Sequence, residues 1–303
     1  MTPNRRRAAR IASLMCLAVC IVASCADARV VHREPSLYQT VLVTERGATV
    51  CLQFEARTDK RNQSCVDRRR PRRMVLPYTR MLLGSLLLIP DPEHILVIGL
   101  GGGVLPTAFA ELLPDARIDV VEIDPVVVAV AERFFGFDAT ERVRVFVSDA
   151  RVFTRRARTR ERRYDLVVLD AFGSEYIPEH LMTVEYFRET GDLLTARGVV
   201  AANTFQDSGL RDHESETWFQ AFGPFIEFTR DVSLNRILLA SAAPLPSAST
   251  VAERARSWRR RMEPYGVSIV EFPRTLDRDP RWDRTREALT DQYSPANLLR
   301  SRR

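Results

Sequence analysis

The chain has 303 residues, of which 45% are hydrophobic, and it carries 45 basic against 39 acidic residues. This length and composition are those of a globular protein with a full core, in one large domain or two modest ones. Lys60 is the only lysine, so nearly all of the positive charge is arginine. No basic motif interleaved with aromatic residues supports RNA or DNA binding, and we expect no nucleic-acid partner.

Residues 1–28 have the pattern of a targeting leader. Four arginines lie within residues 5–10, an apolar run covers residues 11–26, and the run ends in an Ala-Asp-Ala cleavage pattern. The Val-Ala-Ser-Cys stretch that ends at Cys25 also resembles a bacterial lipobox, in which a lipid on Cys25 would be the one membrane attachment. The leader predicts an exported or membrane-anchored protein on the periplasmic side. If the true start codon lies downstream of the leader, the protein is cytoplasmic.

Residues 29–73 are predicted to form a small β-rich domain. Short runs of strand-forming residues over 36–66 are separated by polar turns, as in a small antiparallel unit. Cys51 and Cys65 are the only cysteines beyond the leader. In an oxidising compartment they would form a disulfide, and the alternative is two unpaired cysteines in adjacent strands.

Residues 74–303 are predicted to form a second, larger domain. Apolar residues have helical spacing from Met74 to Leu88, and strands then alternate with helices. Such alternation predicts a doubly wound, mostly parallel sheet that binds ligands beyond the carboxyl ends of its strands. From about residue 249 we expect an Arg-rich helix, a short strand near 267–272 and an irregular C-terminus. The predicted strands are 94–99, 117–122, 143–148, 164–170, 197–204, 225–231 and 235–241, and the predicted helices lie near 103–113, 125–135, 183–195 and 213–222.

The turn after the first strand of this domain is rich in glycine. Gly99, Gly101 and Gly103 follow the strand and open a helix, so that the backbone can approach a ligand at the helix N-terminus. About twenty residues further on, Glu122 ends the second strand, where a carboxylate can bind ribose hydroxyls. Strand, glycine turn, helix, strand and acid together indicate a nucleoside cofactor.

Two further aspartates follow strands of the predicted sheet. Asp149 comes after the third strand, where an adenine amino group would lie, which favours an adenosine linked to a sulfonium over a dinucleotide. Its alternative role is that of a helix N-cap. Asp124 stands directly before Pro125, as an N-cap followed by proline, and we interpret it as structural.

The fourth strand ends in a carboxylate. The apolar run YDLVVLDAF places Asp170 at the ligand-facing edge of the sheet, and Asp170 is the candidate catalytic residue. The four histidines are scattered, and neither C-x-x-C nor H-x-x-x-H spacing occurs, so we expect no metal site.

An ordered series of motifs extends from about Ser36 to Phe205. After a segment that begins SLYQTVLV, the chain contains VIGLGGGVL, VEIDPVV, VSDARVF, YDLVVLDAF and PEHLMTVEYF. As a series they resemble the spermidine synthase (polyamine aminopropyltransferase) family, although each motif alone is shared with methyltransferases. The resemblance implies an α/β fold, with a Rossmann-like, methyltransferase-type doubly wound sheet preceded by a small N-terminal β domain. It also implies decarboxylated S-adenosylmethionine as donor, a small-molecule amine as acceptor, and a homodimer or tetramer.

The same resemblance assigns roles to four residues. Asp170 matches the catalytic aspartate, Glu122 the ribose contact, Asp149 the adenine contact, and Gln39 a glutamine near the methionine-derived arm. Aminopropyl transfer is a displacement at the carbon next to a sulfonium, so the enzyme must present an uncharged amine in line and accept its proton. An alkyl amine has a pKa of roughly 10, so a carboxylate is expected as the general base that takes its proton.

The chain departs from the family where the family binds amines. Gly102 replaces an aspartate of the glycine turn, Thr79-Arg80 replaces a His-Glu pair on the preceding helix, and Gly173 replaces a second aspartate after the fourth strand. The nucleoside half of the site therefore looks retained and the polyamine half altered. The candidates to compensate are Glu175, Glu179 and His180.

Three interpretations of these features differ in kind. The first is an aminopropyltransferase-like enzyme, which the ordered motifs and Asp170 favour. The second is a methyltransferase that uses ordinary S-adenosylmethionine, whose carboxylate Arg80 would pair with. The third is a non-catalytic exported protein that retains the fold, which the leader and the cysteine pair favour. The acceptor is left open.

Overall fold

The computed structural model of the protein describes residues 28–55, 61–171, 178–206 and 208–301. These residues form a four-stranded sheet and an eight-stranded sheet with helices on both of its faces. The leader over 1–27, which includes Cys25, lies outside the described residues, as do Gly173 and Glu175. In the part of the chain that is described, no helix has the length and apolarity needed to span a membrane.

The N-terminal sheet is antiparallel throughout. Its strands are β1 (Arg29–Pro35), β2 (Thr40–Arg46), β3 (Thr49–Phe54) and β4 (Asn62–Asp67). They are neighbours in space in the order β1-β2-β3-β4. Alternate residues on one face, among them Val43 and Leu52, are fully buried and pack against the helix over 125–135. The short runs of strand-forming residues between polar turns predicted this antiparallel unit.

Cys51 and Cys65 form a disulfide in this sheet. They are direct cross-strand neighbours on β3 and β4, with their Cα atoms 4.1 Å apart. The structure therefore selects the disulfide from the two alternatives that the sequence left open.

The larger sheet has a parallel centre and an antiparallel edge. Its strands are β5 (His94–Ile98), β6 (Arg117–Glu122), β7 (Val143–Val147), β8 (Tyr164–Leu169), β9 (Leu194–Phe205), β10 (Ile226–Thr229), β11 (Asn235–Ser241) and β12 (Leu276–Asp277). Their spatial order is β12-β10-β11-β9-β8-β5-β6-β7. The pairs from β7 to β9 are parallel, whereas β9–β11, β11–β10 and β10–β12 are antiparallel. This is the mostly parallel, Rossmann-like sheet that the alternation of elements predicted.

Helices cover both faces of the larger sheet, and each face carries its own apolar core. The helices are α1 (Pro77–Leu82), α2 (Val104–Leu112), α3 (Pro125–Phe135), α4 (Ala150–Thr159), α5 (Val184–Gly191), α6 (Arg211–Phe222), α7 (Ala248–Met262) and α8 (Ala296–Ser301). Tyr164–Leu169 is buried along its whole length because both faces of β8 are covered.

Two predicted elements differ from the structure, and helix α4 was not predicted. The helix expected over 74–88 begins only at Pro77, which occupies its first turn, and gives way to a 3-10 turn over Leu83–Leu87. Sequence reasoning missed α4, whose composition is dominated by arginine. The strand expected near 267–272 is wrong: Ile269–Arg274 is a 3-10 helix, in which the buried Ile269 and Phe272 are three residues apart, whereas Val267 and Ile269 alternate as in a strand.

Candidate active site

The carboxyl ends of the parallel strands bring the candidate residues to one edge of the larger sheet. The glycine turn follows β5, Glu122 ends β6, Asp149 follows β7 and Asp170 follows β8. Main-chain hydrogen bonds join these segments: the Asp170 N–H donates to the carbonyl of Ile98, and the Gly99 N–H donates to that of Val121. The structure thus brings these candidate residues to the edge of the sheet where the sequence placed them.

The glycines of the turn are required by contacts within the protein. Gly99 has a φ of +98°, and a Cβ there would lie 2.3 Å from the carbonyl oxygen of Asp170. Gly103 has a φ of +71°, and a Cβ there would lie 2.4 Å from the ring of Phe137. Gly101 has a φ of +54°, which side chains rarely adopt. At Gly99 and Gly103 neighbouring residues fill the space that a side chain would need, and the approach of a ligand to the backbone of this turn stays a prediction.

Gly102 has no room for the aspartate that the family usually carries there. A Cβ on Gly102 would lie 2.7 Å from the ring of Phe135 and 2.8 Å from the Ser64 hydroxyl of β4. Real Cβ atoms do not approach other atoms so closely. The close packing of β4 on the glycine turn thus accounts for this departure from the family.

Glu122 is tied to the glycine turn by its carboxylate. One oxygen accepts the Leu100 N–H at 3.0 Å, and the other accepts the Asp124 N–H at 3.1 Å. Burial raises the pKa of Glu122, and these two N–H donors partly oppose the rise. Each carboxylate oxygen can accept a further hydrogen bond, so Glu122 is able to receive the two vicinal hydroxyls of a ribose.

Asp124 is the N-cap of α3, as the sequence predicted. Its Oδ1 accepts the Val126 N–H at 2.9 Å. Its Oδ2 lies 2.5 Å from the Ser36 hydroxyl, which belongs to the turn between β1 and β2. Gln39 ends the same turn, and its carbonyl lies 2.8 Å from that hydroxyl. Through Ser36, Asp124 therefore holds the turn that contains Gln39. Asp124 is itself only two residues from Glu122 along the chain.

Asp149 makes two contacts within the protein. Its Oδ1 accepts the Val152 N–H at 2.9 Å as the N-cap of α4, and its Oδ2 lies 2.9 Å from His180 Nε2. Burial raises the pKa of Asp149, but the Val152 N–H and His180 outweigh burial, and the pKa is lowered overall. The cap interpretation is correct, and the adenine contact stays a prediction.

Asp170 lies between two neutral hydrogen-bonding side chains. Asn203 Nδ2 donates to Asp170 Oδ1 at 2.8 Å, and the Tyr78 hydroxyl of α1 is within hydrogen-bonding reach of the same carboxylate. The Tyr78 hydroxyl also lies 2.8 Å from the carbonyl of Gln63 on β4. Burial raises the pKa of Asp170 to about 7, although both hydrogen bonds act to lower it. A carboxylate with such a pKa is able to hold or release a proton at neutral pH.

Sequence reasoning missed Tyr78 and Asn203. Leu169 pairs with Ala202 in the parallel β8–β9 ladder, which makes Asn203 the lateral neighbour of Asp170. A polar residue at equal depth in the next strand was the available signal for Asn203. For Tyr78 no local signal exists, because its contact joins two elements almost a hundred residues apart.

Thr79 and Arg80 support the start of α1. The Thr79 hydroxyl donates to the Leu76 carbonyl at 2.8 Å. The Arg80 guanidinium donates to the carbonyls of Met74 and Val75 at 2.9 and 2.8 Å. Arg80, which was considered as the partner of a donor carboxylate, is therefore committed to the main chain. Within the described ranges, no group of three or more His, Cys, Asp or Glu side chains is arranged so that it could hold a metal ion.

Comparison with known proteins relates the chain to enzymes of polyamine metabolism. The family model described as "Spermine/spermidine synthase domain" matches residues 76–229. The polyamine aminopropyltransferase of Vibrio vulnificus is 43% identical over 279 residues, which are 91% of this chain and 93% of that protein.

Two solved structures share the fold. A spermidine synthase in complex with the transition-state analogue AdoDATO has a TM-score of 0.63 at 20% identity, covering 80% of this chain and 83% of that one. Human methyltransferase-like protein 13 in complex with SAH has a TM-score of 0.57 at 24% identity, covering 73% of this chain and 99% of that one.

Proposed function

The chain belongs to the spermine/spermidine synthase family, and we propose that it transfers an aminopropyl group from decarboxylated S-adenosylmethionine to a small amine, with Asp170 as the base. It is a transferase of the aminopropyl type, and its site is suited to a ligand related to S-adenosylmethionine. The finer points of the proposal are the form of the donor and the roles of individual residues.

The surroundings of Asp170 support the decarboxylated donor. Burial, Asn203 and Tyr78 together set the pKa of Asp170, and no arginine of the described chain contributes to it. An ordinary donor would bring its own carboxylate close to Asp170, and two like charges repel each other there. A decarboxylated donor brings an ammonium instead. This single observation carries the choice of donor.

The proposed reaction is a direct displacement. Asp170 accepts a proton from the acceptor ammonium, the free amine attacks the carbon next to the sulfonium, and the carbon–sulfur bond breaks to release methylthioadenosine. Asn203 orients the carboxylate through its amide N–H, and the Tyr78 hydroxyl lies beside it. Glu122 and Asp149 are proposed to hold the ribose and the adenine, and Gln39 to lie along the transferred arm.

Calorimetric titration tests the donor. We expect the protein to bind decarboxylated S-adenosylmethionine at least about tenfold more tightly than the ordinary form. Glu122→Gln should weaken binding of both donors and of methylthioadenosine by roughly 10- to 100-fold, because a hydrogen bond to a charged group contributes about 1.5–3 kcal/mol. Glu132→Gln, on the exposed face of α3, is the matched control and should bind as the wild type does.

Other outcomes of the titration select the alternatives. Tighter binding of the ordinary donor would indicate a methyltransferase, an alternative that the likeness to methyltransferase-like protein 13 and the altered positions Thr79 and Gly102 support. Absence of binding by all three nucleosides would indicate a non-catalytic protein that retains the fold.

The rate should depend on pH through Asp170. Because a base acts only when ionised, kcat is expected to rise with pH and to reach half of its maximum near pH 7, the pKa of Asp170. Asn203→Leu removes a hydrogen bond that lowers this pKa, so the midpoint should move to higher pH. Rates measured with two acceptor amines of different pKa provide the control. A midpoint that follows the amine would assign the titration to the substrate and contradict the prediction.

Localisation and assembly are further parts of the proposal. We propose that the leader exports or anchors the protein, and the Cys51–Cys65 disulfide supports this because disulfides persist in oxidising compartments. Cytoplasmic placement remains the alternative if translation starts downstream. A homodimer is proposed on the family resemblance alone.

A further inference from the structure

Strand β4 connects the disulfide to the candidate site. Three successive residues of β4 have different partners: the Gln63 carbonyl accepts from the Tyr78 hydroxyl at 2.8 Å, Ser64 packs on the glycine turn, and Cys65 is bonded to Cys51. Next to Cys65, Val66 forms an isolated bridge with Met74, just before α1. The disulfide at Cys65 therefore lies between two contacts of β4 with the segment that carries Tyr78, one at Gln63 and one at Val66.

The ladder between β3 and β4 is irregular at Gln63. Leu52 pairs with Ser64, but the next residue, Gln53, pairs with Asn62, so Gln63 is the extra residue of a bulge. In a bulge the extra residue is unpaired, and its main-chain groups point away from the neighbouring strand. Here the Gln63 carbonyl points to the Tyr78 hydroxyl. Since β4 is the last strand of its sheet, its main-chain pairing among the described residues is with β3 and, through Val66, with Met74.

The disulfide fixes that register two residues from the bulge. A covalent bond between direct cross-strand neighbours prevents β4 from slipping along β3, and a slip by one residue would move Gln63 to the other face of the sheet. The Tyr78 hydroxyl would then lose its main-chain partner, although it would still lie beside Asp170. The contacts thus run without a gap from Cys65 to Gln63, Tyr78 and Asp170.

We propose that the Cys51–Cys65 disulfide is a positioning element of the transfer site: it holds the bulge at Gln63 in place, and through it the Tyr78 hydroxyl against Asp170. The oxidised chain is consequently the more active form. This inference rests on the proposed function for its kinetic readout, whereas the state of Asp170 can be measured without turnover.

Reduction of the bond is a two-electron step. A small dithiol such as dithiothreitol supplies two electrons and two protons, the sulfur–sulfur bond breaks to two thiols, and the reagent closes to its own cyclic disulfide. Cys51 and Cys65 are only 7% and 2% exposed, so the reagent reaches them slowly. Substitution of both cysteines is therefore the primary test, and reduction of the wild type is its companion.

The test compares the oxidised full chain with Cys51→Ala/Cys65→Ala and with the bulkier Cys51→Val/Cys65→Val. We expect kcat to fall about tenfold while the KM for the donor changes less than about threefold, since misplacement of a positioning group acts on the chemical step. The Asp170 pKa should fall in both variants, because the Tyr78 hydroxyl, once it loses the Gln63 carbonyl, donates its one proton to Asp170 alone. Carbon-13 NMR of labelled aspartate measures this pKa, with Asp170→Asn for assignment.

Two controls separate positioning from loss of stability. Val43→Ala removes a fully buried side chain from the same sheet without touching β4, so it should lower Tm and leave the Asp170 pKa unchanged. Tyr78→Phe removes the donor, so it should raise the Asp170 pKa in the oxidised chain and abolish the fall that the cysteine substitutions cause.

The inference is overturned if either folded cysteine variant keeps both the wild-type kcat and the Asp170 pKa, or if Val43→Ala shifts the pKa equally. If the oxidised wild type binds the donor but transfers nothing, the proposed function fails instead, and the NMR comparison still decides whether the disulfide positions Tyr78.

Discussion

Replacing Asp170 with asparagine is expected to lower kcat for aminopropyl transfer by about a thousandfold. The amide keeps the size and the hydrogen bond to Asn203 but cannot accept the proton of an ammonium, and general base catalysis contributes roughly 10²- to 10⁴-fold. Steady-state rates with decarboxylated S-adenosylmethionine and a saturating amine measure the effect. The KM for the donor should change little, because Glu122 and the glycine turn are untouched.

The same variant should fold at least as well as the wild type above neutral pH. The pKa of Asp170 is raised by burial, so the stability of the protein is favoured while the carboxyl is protonated and decreases as pH rises through about 7. Asparagine carries no charge, so it avoids the unfavourable burial of an ionised carboxylate, and Tm at pH 8 should not fall. Asp91→Asn, at an exposed surface position, is the matched control and should retain full activity. A kcat within tenfold of wild type for Asp170→Asn would refute Asp170 as the base.

The parallel core of the fold was the part most readily predicted from the sequence. Strands such as β5 and β8 are buried on both faces, so they form continuous apolar runs that end at the ligand-binding edge. The antiparallel edge was less clear, because β12 has only two residues and depends on its pairing with β10. The 3-10 helix over Ile269–Arg274 has an apolar pattern too short to distinguish a turn from a strand.

The site was predictable where a role depends on the end of a strand and not where it depends on contacts across the fold. The positions of Asp170 and Glu122 could be predicted because each closes a strand at the same edge of the sheet. Tyr78 reaches Asp170 from α1, and only the packing of α1 on the sheet creates that contact. The glycine turn was located correctly, but its tight fit against Phe137 and Asp170 requires the tertiary structure.

Arg236 is the centre of a buried ionic cluster behind the active-site strand β9. Its guanidinium has no exposed surface, and all five of its N–H groups are used. The acceptors are Thr204 Oγ1, Ser215 Oγ, the Arg211 carbonyl, Glu227 Oε2 and Glu214 Oε2, at 2.8–2.9 Å. Thr204 directly follows Asn203, so the cluster fixes the end of the strand that orients Asp170.

Arg236→Met is expected to destabilise the protein by about 3–5 kcal/mol, because removing one partner of a buried ion pair leaves an uncompensated charge. Glu227 keeps its contact with Arg211, at 2.7 Å, whereas Glu214 is left without a cation among the described residues. Denaturant unfolding measures the loss. Arg72→Met, which removes an exposed pair with Glu111, is the matched control and should cost less than about 1 kcal/mol.

The charge left on Glu214 gives the loss a pH dependence of known sign. Burial already raises the pKa of Glu214 against the opposing effect of Arg236, so the pKa rises further once Arg236 is removed. A buried carboxyl with a raised pKa stabilises the folded state when protonated and loses that contribution as pH rises through its folded pKa. The stability that Arg236→Met loses should therefore be smaller at pH 5 than at pH 8. The double variant Arg236→Met/Glu214→Gln should recover about half of the lost stability at pH 8. Equal deficits at both pH values, with no recovery in the double variant, would mean that lost packing and not an unpaired charge causes the destabilisation.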